Sequence, residues 1–85
     1  MKQRTAKTVV EVLEWMRDTP HHWASAETLG FLILGNRDQK LRIPVKLLQE
    51  SSGLYEAALG TRMFYPTPAG VEYLYKHRAD TPSQP

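Results

Sequence analysis

The amino-acid sequence predicts an α+β fold in which three helices precede a two-stranded β-hairpin and a C-terminal helix. Three local patterns carry that expectation. Val9, Val12, Leu13 and Met16 recur at the i, i+3, i+4, i+7 spacing of a single helical face. Gly60-Thr61 separates two short strand-like runs, and glycine at the first loop position suits a type II′ hairpin turn. Thr67-Pro68 joins a capping side chain to a ring that fits the first turn of a helix.

A chain of 85 residues allows one domain with a modest core, so no large catalytic cavity is expected. Its 41% hydrophobic and 24% charged content is that of a globular protein, and the prolines and glycines act as joints. The absence of cysteine excludes disulfides and thiolate metal ligands and is compatible with a reducing compartment. No apolar run approaches the roughly 18 residues that span a membrane. The segment MKQRTAK lacks the apolar stretch of a signal peptide. A cytoplasmic protein without a membrane partner is expected.

The first helix is predicted from about Thr8 to Asp18, with Thr8 and Glu11 spaced as a capping box, Thr5 as an earlier possible start, and Thr19-Pro20 as the stop. A connector His21-His22-Trp23-Ala24 leads to Ser25, which can cap a second helix over residues 25–34. Ala26, Leu29, Leu32 and Ile33 would share its inner face, and Gly35 would supply a left-handed stop. The run Leu29 to Leu34 also has the composition of a buried strand, but the start and stop residues favour helix. After a polar, turn-prone stretch from Gly35 to Lys40, Pro44 opens a third helix running to Ser51 or Ser52 and ended by Gly53. Leu41, Val45 and Leu48 are expected to face inward, turning Arg42, Lys46 and Gln49 to solvent.

Strands are predicted at Leu54 to Leu59 and Arg62 to Tyr65, with Arg62 at the hairpin tip. Thr67 then caps the last helix, whose apolar stripe is Val71, Leu74 and Tyr75. Residues 1–6 are expected to form a basic N-terminal arm, 7–78 the domain, and 79–85 a disordered tail.

Net charge is only +2, but its distribution is uneven. Lys2, Arg4 and Lys7 precede every acid, and Arg37, Lys40, Arg42 and Lys46 are set against Asp38 alone between Asn36 and Leu48. Acids gather instead at Glu11, Glu14 and Asp18. Such asymmetry suits an anionic partner.

From Leu47 onward the stretch LLQESSGLYEAALGTRMFYPTPAGVEYL, closing on Thr67-x-x-Gly70-x-x-x-Leu74, resembles the segment of MarR-, PadR- and ArsR-type regulators that runs from the recognition helix into the wing. The resemblance implies a winged helix-turn-helix: the third helix enters the major groove of double-stranded DNA and the hairpin wing lies along the backbone. Arg42, Lys46 and Gln49 are then the expected helix contacts, Arg37 and Lys40 meet phosphates from the preceding turn, and Arg62 does so from the wing. A homodimer is expected, with the first and last helices and Trp15, Tyr73 and Tyr75 at its seam.

The implied function is transcription regulation by a small DNA-binding protein. The alternative is a winged-helix module that contacts protein without binding DNA. An enzyme is not expected. Adjacent His21 and His22 point apart in an extended loop, no carboxylate stands at metal-ligand spacing, and no nucleophile triad or glycine-rich phosphate loop occurs. No catalytic residue, metal, cofactor or small-molecule substrate is therefore assigned.

Overall fold

The segment QKLRIP alternates polar and apolar residues, and that period of two, rather than a helical one, organises the first half of the chain. The computed structural model describes residues 2–18, 23–24, 30–35, 39–58 and 63–79. In chain order these form β1 (Lys2–Thr5), α1 (Val9–Asp18), β2 (Trp23–Ala24), β3 (Phe31–Gly35), β4 (Gln39–Pro44), α2 (Val45–Glu50), β5 (Tyr55–Ala57), β6 (Phe64–Pro66) and α3 (Pro68–Ala79). The architecture is mixed α+β, with a four-stranded sheet of order β1-β4-β3-β2 and a separate β5-β6 hairpin.

β1 runs parallel to β4, pairing Arg4 with Leu41 and Thr5 with Arg42, whereas β3 and β4 are antiparallel with Leu34 opposite Leu41 and Ile33 opposite Arg42. Alternation then sends Leu32, Leu34, Leu41 and Ile43 to one face, where they join Val9, Val12, Leu13 and Met16 of α1 in the core. Leu13, Leu34, Leu41 and Ile43 are fully buried there. Each such side chain contributes about 1.5–3 kcal/mol relative to exposure, which is what holds helix to sheet.

α1 matches its expected span. Thr8 Oγ1 accepts the Glu11 amide at 3.1 Å, while Glu11 Oε1 accepts the Lys7 amide at 2.9 Å, one residue earlier than a standard capping box. The hairpin also matches, with Tyr55 opposite Pro66 and Ala57 opposite Phe64, and the Tyr55 and Phe64 rings 5.6 Å apart. The Gly60-Thr61 turn lies outside the described residues.

Several expectations are corrected. Residues 31–34, assigned to a second helix, lie in strand β3, because an apolar run this short is locally ambiguous and β4 offers it a complete ladder of backbone partners. The expected start of that helix, residues 25–29, lies outside the described residues. Gly35 does adopt a positive φ of 141°, but as the last residue of a strand rather than a helix stop. Lys2–Thr5, expected within a basic arm, is an edge strand because β4 has a free side for it.

The third helix is present as α2, yet Leu41 and Arg42 belong to β4. Leu47 turns inward while Val45 is 42% exposed, since the helix starts only after Pro44 and its phase is set from there. On α3 the buried positions are Gly70 and Leu74, not the whole expected stripe; Val71 is 42% and Tyr75 77% exposed.

α3 is locked in place by Thr67. Its Oγ1 donates to Gly53 O at 2.9 Å and accepts the Gly70 amide at 3.2 Å, while its own amide donates to Leu54 O at 3.0 Å. One residue thus caps the helix and ties it to the turn after α2. Ser51, fully buried in that turn, donates its hydroxyl to Leu47 O at 2.6 Å.

Candidate nucleic-acid interface

The strand sequences KQRT, WA, FLILG and QKLRIP contain Lys2, Arg4, Lys40 and Arg42 and no aspartate or glutamate. A sheet built only from neutral and cationic side chains projects a positive field wherever those cations remain unneutralised. Arg4 is neutralised: it lies on the α1 side, 3.3 Å from Glu11, with its guanidinium 5.4 Å from the Trp15 ring centroid. Among the described residues no ion pair reaches Lys40, Arg42 or Lys46.

By register, the face of the sheet opposite α1 carries Thr5 from β1, Phe31 and Ile33 from β3, and Lys40 and Arg42 from β4. All five are exposed or half-buried. The Arg42 guanidinium lies 5.3 Å from the Phe31 ring centroid, a cation–π contact across neighbouring strands. Its Nε is buried and has no hydrogen-bond partner among the described residues. The buried Nε and the ring contact together keep the Arg42 side chain against the sheet rather than free in solvent.

α2 presents a second polar surface. Val45, Lys46, Gln49 and Glu50 are exposed around its inward Leu47. Of the six expected contact residues, the structure therefore places Lys40 and Arg42 on the outer sheet face and Lys46 and Gln49 on α2. Arg37 and Arg62 lie outside the described residues. Arg42 is not on a helix with Lys46 and Gln49, because β4 runs through Pro44.

Phe31 was missed as a site residue because a helical reading of 25–34 hid its position; the alternation of Lys40 and Arg42 with Leu41 and Ile43 was the signal that could have revealed the strand pair. Among the described residues no group of three or more histidine, aspartate or glutamate side chains could hold a metal ion, and no helix is long and apolar enough to cross a membrane.

On the hairpin, Glu56 and Tyr65 stand opposite each other, and the Tyr65 hydroxyl is raised above its ordinary pKa by local desolvation, then by its hydrogen bond to Glu56 and that carboxylate's charge. This acid makes that face of the hairpin a poorer place for phosphate than β4. No protein-family model, curated protein or solved structure matches the chain.

Proposed function

We propose that this protein is a nucleic-acid-binding module, acting as a small DNA-binding regulator that holds its ligand chiefly through phosphates. The observation that carries this is the sheet without an acid, whose Lys40 and Arg42 have no anionic partner among the described residues. Phosphate contacts supply most non-specific affinity for DNA, and cations left unneutralised by the fold are the groups that make them.

The winged-helix version of this reading, with α2 in the major groove of a duplex, is supported by the succession α2, hairpin, α3 and by the exposure of Lys46 and Gln49. Gln49 can bond an adenine edge bidentately and Lys46 a phosphate or guanine. Among the described residues β3 and β4 stand where that fold has its helix-turn-helix partner, and no described helix directly precedes α2 to brace it across the backbone. The geometry therefore favours backbone holding over base reading. The protein-contact alternative would need exposed apolar side chains at α2, where Val45 is the single one.

Fluorescence anisotropy of labelled DNA against salt tests the proposal. If Lys40, Arg42 and Lys46 act together with Arg37 and Arg62, log affinity for duplex should fall with log salt at a slope of about −4 to −5, from about −0.9 per neutralised phosphate. Absence of binding to any DNA at about 50 mM salt, where screening is weak, sinks the proposal.

A second copy of the chain is the other partner proposed. Val71 and Tyr75 are exposed on α3 one turn apart, and with Leu74 and Arg17 of α1 they line a shallow groove. Trp15 and Tyr73 are half-buried and pack against the core. Sedimentation at high micromolar concentration should show a dimer that Tyr75→Glu converts to monomer. A wild-type monomer under those conditions excludes the contact.

A further inference from the structure

The proposed function leaves the form of the nucleic acid open, and the outer sheet face bears on it. We propose that this face takes a single-stranded nucleic acid, with an unpaired base stacked at the Phe31–Arg42 pair and the flanking phosphate held by Lys40. The inference rests on the nucleic-acid reading above and specifies its ligand.

Three observations carry it. The first is charge complementarity: Lys40 and Arg42 share a face whose strands contain no acid. The second is an aromatic ring among those cations. Phe31 is half-buried on the same face, so its position is fixed by the sheet while part of the ring stays open. A duplex hides its base faces, so an aromatic beside cations offers it little; an unpaired base presents a π-face that stacks on a phenyl ring or a guanidinium plane.

The third observation is Arg42 itself. With its guanidinium 5.3 Å from the Phe31 ring centroid and its Nε buried, it is restrained before any ligand arrives. Binding then costs less side-chain entropy than recruiting a free surface arginine. Lys40 and Arg42 are two residues apart on one strand, about 6.6–6.8 Å along it. That reach is comparable to one nucleotide step of an extended strand, so one cation can meet a phosphate while the other flanks the neighbouring base.

The chemistry needs no bond making. A base leaves water to cover Phe31, its phosphate displaces counterions from Lys40, and Arg42 donates to whichever acceptor the base edge or phosphate brings. Ring stacking accepts any base, so tolerance of sequence is expected, with affinity set by strand length and salt.

The test compares a labelled 12-nucleotide oligo(dT) strand with a 12-base-pair duplex at about 50 mM salt, where screening is weak, using wild-type protein, Phe31→Ala, Phe31→Tyr and Arg42→Lys. Circular dichroism of each variant checks folding. Wild-type protein should prefer the single strand. Phe31→Ala should weaken it by roughly 5- to 150-fold, the range that one base–aromatic stack carries, and should weaken duplex binding by a smaller factor. Phe31→Tyr keeps a ring and should restore the affinity, which a loss caused only by misfolding would not do. Arg42→Lys keeps the charge and loses the planar fork, so it should weaken the single strand while leaving the salt slope unchanged.

Preference for duplex, or a Phe31→Ala protein that binds the single strand as well as wild type, overturns the inference while the nucleic-acid reading stands. Binding to neither form overturns both. If Phe31→Ala instead dissociates a dimer, the face is covered by a second copy and the inference fails.

Discussion

Replacing Leu34 with alanine is expected to destabilise the protein by about 2–5 kcal/mol, the range for removing a fully buried leucine, whereas Ile33→Ala should cost about 1 kcal/mol or less. Leu34 is 0% exposed on the core face of β3 and Ile33 is half-buried on the other. The contrast is a test of secondary structure. A helix over 25–34 would have placed Leu32 and Ile33 together on the inner face, and Ile33→Ala would then be the more damaging change. An 85-residue chain has roughly 4–13 kcal/mol of total stability, so the Leu34 substitution removes a large share of it. Urea melts of the two variants decide the matter: equal losses, or a larger one at Ile33, would reject the strand.

Gly70→Ala is expected to destabilise by about 1–3 kcal/mol, the usual cost of forcing atoms into a packed site. At an open helical position the same change stabilises by about 0.8–1.0 kcal/mol, because alanine loses less backbone entropy. The sign differs here because a Cβ at Gly70 would run into the Leu54 carbonyl oxygen, with Leu54 C at 3.0 Å and Pro66 Cβ at 3.3 Å. That oxygen cannot retreat cheaply, since it accepts the Thr67 amide. With about 4–8 °C per kcal/mol for a domain of this size, thermal melts should show a clear drop. A Gly70→Ala protein that melts higher than wild type would mean that α3 does not approach the turn after α2 as described.

Thr67 was legible in the sequence as a cap and Gly70 only as part of a closing motif, and the packing reason for the glycine became visible only with Leu54 in place. α1 was legible because its four inward residues and its cap lie within one turn or two of each other, so local spacing alone carries the information. The β5–β6 pairing was legible for the same reason, as two runs joined by a short turn. The candidate site was legible in part: Lys40, Arg42, Lys46 and Gln49 are described residues that are exposed or half-buried, while Phe31 went unseen and the helical grouping of Arg42 with Lys46 did not survive.

By itself, the sequence determined the α+β class, the first helix, the hairpin, the capped C-terminal helix and the unequal placement of charge, because each depends on contacts between residues close along the chain. Only the tertiary structure decided the sheet. β1 joins β4 across α1, about three dozen residues away, and Phe31–Gly35 becomes a strand because β4 is there to bond it on one side and β2 on the other. No local window contains those partners. A short apolar run satisfies its backbone equally well within a helix or along a ladder, and the choice belongs to whichever neighbour also buries its side chains.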